Sequence, residues 1–233
     1  MSALPKEEIK VVEYPDSDGE LMADNTEQFN WIVEIKESLE LIFAEDQNVF
    51  VAGDLLWYPV KGDNKTRVAP DVLVAFGRTK GRRGSYKQWE EDGIAPQVVF
   101  EVLSPGNTLK EMIKKWKFYE RYGVEEYYVI DPDHKNVDGW IRSKTRPEEM
   151  EVIEEISGWV SPRLQIRFEI EDGEIKLYRP DGNLFESYVE VARKRDEERN
   201  RAEQAEREKE EALARLQQMS EKLKALGIEL EPS

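Results

Sequence analysis

Residues 96–132 read PQVVFEVLSPGNTLKEMIKKWKFYERYGVEEYYVIDP, a strand, a helix and a second strand in succession. The first strand is predicted from Pro96 to Leu103, and it is apolar apart from Gln97 and Glu101. The helix is predicted between Thr108, a favourable N-cap residue, and a glycine at position 123, a common C-terminal stop. The second strand, 126–131, is again rich in β-branched and aromatic residues. Both strands are too apolar for the surface, so they belong to the core.

A second buried carboxylate stands in the apolar run VAPDVLVAF, residues 68–76, as Asp71. An ionised carboxylate that is buried without a partner is costly, so such groups are paired or bound to metal. Asp71 and Glu101 would repel one another unless a cation lay between them, and Mg²⁺ prefers a few oxygen ligands of this kind. The pair therefore predicts metal-assisted hydrolysis. The alternative is that Asp71 completes a turn after Pro70 and Glu101 forms an ordinary ion pair.

Lys115 is the one lysine of the predicted helix that should point inward. At about 100° per residue, its direction falls within the apolar arc, with Glu111 one turn earlier in the same column. The opposite face is basic, with Lys110, Lys114, Lys117 and Arg121, and the apolar stripe consists of Leu109, Met112, Ile113, Trp116 and Tyr119. The alternative is that Glu111 and Lys115 form a plain helical ion pair at the surface.

These motifs, in this order, resemble the Uma-two type of putative restriction endonuclease, a family of the PD-(D/E)XK nuclease superfamily. The resemblance covers roughly residues 20–185 and rests on 68–75 (VAPDVLVA), 101–108 (EVLSPGNT), Lys115 with Tyr119, and 122–132 (YGVEEYYVIDP). It implies that Asp71 and Glu101 bind Mg²⁺ or Mn²⁺ together with the Val102 carbonyl. It also implies that Lys115 orients or activates the attacking water and stabilises phosphoryl charge.

One departure from the superfamily concerns its lysine, which usually stands two residues after the acid. That position is Leu103 in this chain. We expect the lysine to have moved to the helix as Lys115, which agrees with its inward direction. If that move had not occurred, the chain would be an inactive nuclease.

Other residues are weaker candidates for the site. Asp54 is predicted either to support the site from behind or to be a plain turn residue, and Glu111 is a similar supporting candidate. Ser104 would bond a phosphate or, more simply, cap the helix. The superfamily often uses a glutamate of its first helix, for which Glu34, Glu37 and Glu40 are available here; they flank the apolar face poorly, so we expect them to be solvated.

The net charge of −16 argues against strong non-specific binding to duplex DNA, because phosphate neutralisation supplies most of that affinity. Any contact with nucleic acid must then be local. The segment 77–89 is the predicted place, since it combines cations with Tyr86 and Trp89: Arg78, Lys80, Arg82, Arg83 and Lys87. The alternative is a solvated loop of ordinary charge.

Several classes of site and location are disfavoured by composition. The chain has no cysteine and a single histidine, His134, which excludes disulfides, thiolate zinc sites and multi-histidine metal sites. Neither glycine-rich nucleotide-binding loop is present. No apolar stretch is long enough to span a membrane and no secretion signal is recognisable, so a cytoplasmic protein without membrane contact is expected.

The expected fold is an α/β domain over residues 1–186, with a mixed β-sheet flanked by helices and a restriction-endonuclease-like core. A charged helix follows over 187–228, ending at Gly227, and then a tail at 229–233. Its incomplete heptad pattern favours docking on a protein partner, self-association or a frayed solvated helix over a stable coiled coil. A homodimer is expected by analogy, because cutting both strands usually calls for two sites.

Two functions from different classes fit these features. The first is a Mg²⁺- or Mn²⁺-dependent endonuclease that hydrolyses DNA phosphodiester bonds. The second is an inactive nuclease-fold scaffold that binds nucleic acid or a protein partner and assembles through its C-terminal helix. The carboxylates and Lys115 favour the enzyme, whereas the acidic charge and Leu103 favour the scaffold.

Overall fold

A six-stranded mixed sheet forms the centre of the computed structural model, in the strand order β1-β3-β5-β6-β7-β8. The structure describes residues 12–17, 19, 22–186 and 188–225. The elements are α1 (Thr26–Ile42), β1 (Val49–Gly53), β2 (Trp57–Tyr58), β3 (Val72–Phe76), β4 (Tyr86–Lys87), β5 (Val98–Val102), α2 (Leu109–Tyr122), β6 (Glu126–Asp131), β7 (Asn136–Arg142), β8 (Met150–Val152), β9 (Arg167–Glu171), β10 (Glu174–Tyr178) and α3 (Tyr188–Ala225).

The strand-helix-strand unit at residues 96–132 is confirmed. Strands β5 and β6 are parallel neighbours joined by α2, whereas all other neighbouring strands of this sheet are antiparallel. Thr108 caps α2 by accepting a hydrogen bond from the Glu111 N–H, and Gly123 ends the helix in a left-handed conformation at φ 97°. The predicted mixed α/β fold with a long C-terminal helix is therefore correct.

The two faces of the sheet are covered by different helices. Helix α1 packs its buried Ile32, Ile35 and Leu39 against Val72 and Val74 of β3. The intervening residues of β3 point to the other face, where they pack with Tyr119 of α2. Residues alternate in the same way along β5. The odd-numbered positions of β3 and β5 thus face α2.

After β7 the chain adds one short strand to the central sheet and then forms a separate hairpin. Strand β8 is limited to Met150–Val152, and the Ile153 N–H that follows it donates to the Gly139 carbonyl. Strand β9 begins at Arg167 and pairs with β10 as an antiparallel hairpin.

Glu126 fastens the turn before this hairpin to the central sheet. Its side chain is only 1 % exposed, and it accepts hydrogen bonds from the Ser161 hydroxyl, the Arg163 N–H and the Tyr128 hydroxyl. We expect Glu126→Ala to lower the free energy of unfolding by about 3 kcal/mol, because it leaves buried donors without an acceptor. Urea unfolding of the two proteins at neutral pH measures this.

The same residue predicts a pH dependence of stability. Burial raises the pKa of Glu126, against the opposing effect of its hydrogen bonds. The folded chain then holds the proton of the Glu126 carboxyl group more tightly than the unfolded chain does. The stabilisation that results is complete below about pH 4, and it declines as the pH rises through the pKa of Glu126 in the folded chain. Glu126→Gln should lack that decline. Identical pH profiles for wild type and Glu126→Gln would contradict the account.

By its internal contacts the chain divides into two compact units, Met1–Glu186 and Ser187–Ser233. In the second unit, α3 is a charged helix with ion pairs one turn apart, such as Arg193–Glu197 and Arg215–Glu211. Leu213, Leu216 and Met219 are exposed on it. The predicted end at Gly227 and the tail 229–233 lie outside the described residues. No helix in the described part of the chain is long and apolar enough to cross a membrane.

Candidate active site

Asp71 and Glu101 lie side by side on the face of the sheet that α2 covers. The antiparallel pairing of β3 with β5 sets Val72 opposite Phe100, so the next step of the register brings Asp71 to Glu101. The Asp71 Oδ2 atom accepts a hydrogen bond of 2.6 Å from the Val102 N–H. Strand pairing alone thus brings together two acids that are far apart in the sequence.

Glu101 is held at both oxygens by residues of α2. Its side chain is 2 % exposed, and Oε2 lies 2.8 Å from the Lys115 Nζ atom. The Tyr119 hydroxyl, one helical turn further along, donates a hydrogen bond to Oε1. Lys115 therefore points inward, and its close partner is Glu101; the surface pair with Glu111 that the sequence left open is not formed.

The charges of this group depend on one another. Burial raises the pKa of Asp71 well above its usual range, and the Glu101 carboxylate raises it further. Burial alone would lower the pKa of Lys115, but the Glu101 and Asp71 carboxylates outweigh that effect and raise it. Burial raises the pKa of Tyr119 as well, so its hydroxyl remains a neutral donor. One ammonium thus lies beside two carboxyl groups, of which Asp71 holds its proton more tightly than usual.

A polar cavity of about 510 Å³ opens beside these residues. Asp71 and Lys115 line it from the sheet and from α2, and Arg67 adds a second cation. The other walls come from the start of α1 and the chain before it, from the loops after β1 and before β3, and from the start of α2 and the loop before it. Their residues are Met22, Ala23, Asp24, Gln28, Asp54, Val68, Ala69, Asn107 and Glu111. The cavity is large enough for a phosphate group with its surrounding water.

Gln28 of α1 is a part of the site that the sequence did not reveal. It is 6 % exposed, and its Nε2 atom donates a 2.8 Å hydrogen bond to the Val102 carbonyl, the backbone group predicted as a metal ligand. Its Oε1 atom accepts from the Asp24 N–H at 2.7 Å. The first helix contributes here, six residues before Glu34, because Gln28 lies in its first turn. The glutamates at 34, 37 and 40 do not line the cavity.

The weaker candidates of the sequence take different positions. Asp54 follows β1, is exposed and lines the cavity, and its N–H donates to the Asp71 carbonyl. Glu111 is exposed at the cavity wall. Ser104 is buried and donates a 2.5 Å hydrogen bond to Asp24. The expectation that Ser104 caps α2 is wrong, because Thr108 is the cap residue.

Most cations of the predicted DNA-binding loop are already paired within the chain. Arg78 lies 2.7 Å from Asp92, and Arg83 lies 2.5 Å from Glu91. Lys80 donates to the Phe43 carbonyl, and Lys87 is 3.8 Å from Glu90. Arg82 is exposed and makes no such pair with the described residues. These contacts order the loop and reduce the charge it presents.

The donors at the site fit a hard divalent cation. Among the described residues, no cluster of three or more His, Cys, Asp or Glu side chains forms a metal cage. Mg²⁺ does not need one, because it is bound by one or two carboxylates and keeps several waters. Asp71 and Glu101 could supply two carboxylates; burial and then the neighbouring Glu101 raise the pKa of Asp71, and a bound cation would oppose both effects.

Among the comparisons with known proteins, the match to a family model identifies the family. A search of curated proteins gave no match. Among solved structures, one similar chain is a putative nuclease belonging to DUF820 from Anabaena variabilis ATCC 29413, with 18 % sequence identity, a TM-score of 0.44 and coverage of 59 % of this chain and 72 % of the other. A family model described as "putative restriction endonuclease" matches residues 1–170, which is well over half of the sequence. The chain belongs to that family, Uma2.

Proposed function

We propose that this protein is a divalent-metal-dependent endonuclease that hydrolyses phosphodiester bonds in DNA. The observation that carries the proposal is the grouping of Asp71, Glu101 and Lys115: Asp71 and Lys115 line one polar cavity, and Glu101 lies buried behind them, bonded to Lys115. Membership of a restriction-endonuclease family gives the chemical class. The leucine at position 103, where the superfamily usually has its lysine, does not argue against this proposal. Lys115 of α2 places a cation beside Asp71 and Glu101 instead.

Asp71 and Glu101 would hold Mg²⁺ or Mn²⁺, with the Val102 carbonyl as a further ligand. The ion would supply Lewis-acid stabilisation of the phosphoryl oxygens and a more acidic water. Gln28 fixes the direction of the Val102 carbonyl through its 2.8 Å hydrogen bond. Tyr119 holds the rotamer of Glu101 and leaves the other carboxylate oxygen with Lys115.

Lys115 has two roles in this proposal. Its ammonium group remains charged beside the acids, so it stabilises negative charge that develops on a phosphate in the cavity. It also orients the attacking water through its remaining N–H donors. Arg67 also lines the cavity and would help to neutralise a phosphate bound there.

The inactive scaffold is the second candidate, and one observation favours it. Both oxygens of Glu101 already accept hydrogen bonds from the protein, and its side chain is almost fully buried. A Glu101 held only by Lys115 and Tyr119 would be a complete structural ion pair with no need of metal. Metal binding therefore separates the two candidates.

Calorimetric titration of the metal-free protein with Mg²⁺ and then Mn²⁺ is the experiment that does so. The nuclease proposal expects binding to the wild type that is lost in Asp71→Ala and retained in Glu37→Ala, a carboxylate variant on the outer part of α1. The absence of binding to the wild type at millimolar concentrations would overturn the proposal and leave the scaffold in its place.

A further inference from the structure

A second cavity lies on the other side of α2 from the acidic residues. Its volume is about 500 Å³, and it is bounded by α2 together with β6 and β7. Its walls are mainly apolar and aromatic, with Leu103, Met112, Trp116, Tyr127, Val129 and Trp140. The Trp140 ring stacks on the Tyr127 ring at 5.3 Å and 24°. We call this cavity the aromatic groove.

The aromatic groove is open at the first turns of α2. Leu109 and Ile113 line it there and are 77 % and 43 % exposed. Exposed apolar side chains beside aromatic walls are a costly surface for a monomer to leave in water. We therefore expect a ligand with a flat, apolar surface to cover Leu109 and Ile113.

The groove adjoins the active-site cavity. Asn107 lines both of them, and its side chain is fixed by the Ser104 N–H, which donates to Oδ1 at 2.8 Å. Helix α2 lies between the two spaces along most of its length, and at its start they meet at the loop 104–108. A chain molecule with one group at Asp71 can thus place the next group in the aromatic groove.

The charge that α2 presents beside the groove is positive, whereas β7 contributes one carboxylate, Asp138, to the groove wall. Lys110, Lys114, Lys117 and Arg121 are exposed, and none of them forms an ion pair with the described residues. At about 100° per residue they follow directly after Ile113 around the helix, so they border the groove. In a chain of net charge −16, this basic border is exceptional, and unlike the loop at 78–87 it is not neutralised by neighbouring carboxylates.

We infer that the aromatic groove binds an unstacked nucleobase of the substrate, and that the substrate is single-stranded or locally unpaired DNA. The inference rests on the proposed nuclease function. Aromatic walls that stack bases beside cations that follow the phosphates are the usual means of binding single strands. A paired base inside a duplex could reach the groove only by flipping out of the stack, at a cost in unstacking and unpairing. Phosphates at the basic border, a base in the groove and the next phosphate at Asp71 make one continuous path.

Fluorescence anisotropy with a labelled oligonucleotide of about twelve nucleotides tests the inference. The full chain is used in EDTA, so that binding is measured apart from metal binding and cleavage. Wild type should bind the single strand more tightly than a duplex of the same sequence. Ile113→Asp should weaken binding of the single strand on the order of tenfold, which is the size expected for a lost stacking site.

Leu41→Asp is the matched control, because Leu41 is 53 % exposed on α1 and away from the groove. A strand with abasic positions should bind wild type about as weakly as Ile113→Asp binds the intact strand. Equal affinities for single strand and duplex, or equal binding by Ile113→Asp and Leu41→Asp, would overturn the inference while leaving the metal site to its own test. Wild type that binds no oligonucleotide but self-associates, with association lost in Ile113→Asp, would assign the groove to a second copy of the chain.

Discussion

Asp71→Asn should abolish cleavage and at the same time make the protein more stable. The proposed function makes Asp71 a metal ligand, and loss of such a carboxylate forfeits several kcal/mol of transition-state stabilisation, so we expect cleavage to fall by about a thousandfold or more. The same change removes a carboxylate whose pKa is raised by burial and by Glu101. In metal-free buffer at neutral pH, the free energy of unfolding should therefore be higher for Asp71→Asn than for the wild type.

Cleavage assays and urea unfolding of the two proteins measure both effects. Asp133→Asn is the matched control, since Asp133 is exposed in the turn after β6 and lies outside the cavity. It should change neither quantity. A variant Asp71→Asn that is inactive because it is less stable than wild type would contradict the assignment, since Asp71 would then be a structural residue.

Lys115→Met should be strongly destabilising, and a second substitution should restore stability without restoring activity. The change leaves Glu101 buried with only the Tyr119 hydroxyl as partner. Breaking a buried ion pair in this way costs about 3 kcal/mol or more. In the double variant Glu101→Gln/Lys115→Met position 101 no longer carries a buried charge that has lost its partner, so most of the lost free energy of unfolding should return.

Urea unfolding at neutral pH of the wild type, the single variant and the double variant measures this coupling. The double variant should be folded and inactive. If Lys115→Met alone were as stable as the wild type, the 2.8 Å contact between Lys115 and Glu101 would not be what stabilises the buried Glu101 side chain.

The strands and the helix that carry the site could be predicted from the sequence, because local patterns determine them. Apolar strands around Asp71 and Glu101, the cap at Thr108 and the stop at Gly123 are all readable within a few residues. The inward direction of Lys115 followed from helical geometry alone. Its contact with Glu101 agrees with that expectation, since α2 packs over the face to which Glu101 points.

The sequence could not predict contacts between distant segments. Tyr119 was counted as a core residue of the apolar stripe, and nothing local showed that its hydroxyl reaches Glu101. Gln28 precedes the apolar repeat of α1, so the hydrophobic pattern of the sequence does not indicate its hydrogen bond to the Val102 carbonyl. The loop at 78–87 was predicted as free positive charge, because only the folded chain brings Glu91 and Asp92 onto its arginines.

Cleavage of a labelled single-stranded oligonucleotide in Mg²⁺ or Mn²⁺, by wild type and by Glu101→Gln/Lys115→Met, tests the central claim most directly. Both proteins should be folded and equally stable to within about 1 kcal/mol, so a difference in cleavage reports chemistry rather than folding. The account predicts cutting by the wild type that EDTA stops and that the double variant lacks. A wild type that does not cut with metal bound, or a double variant that cuts as fast, would contradict it.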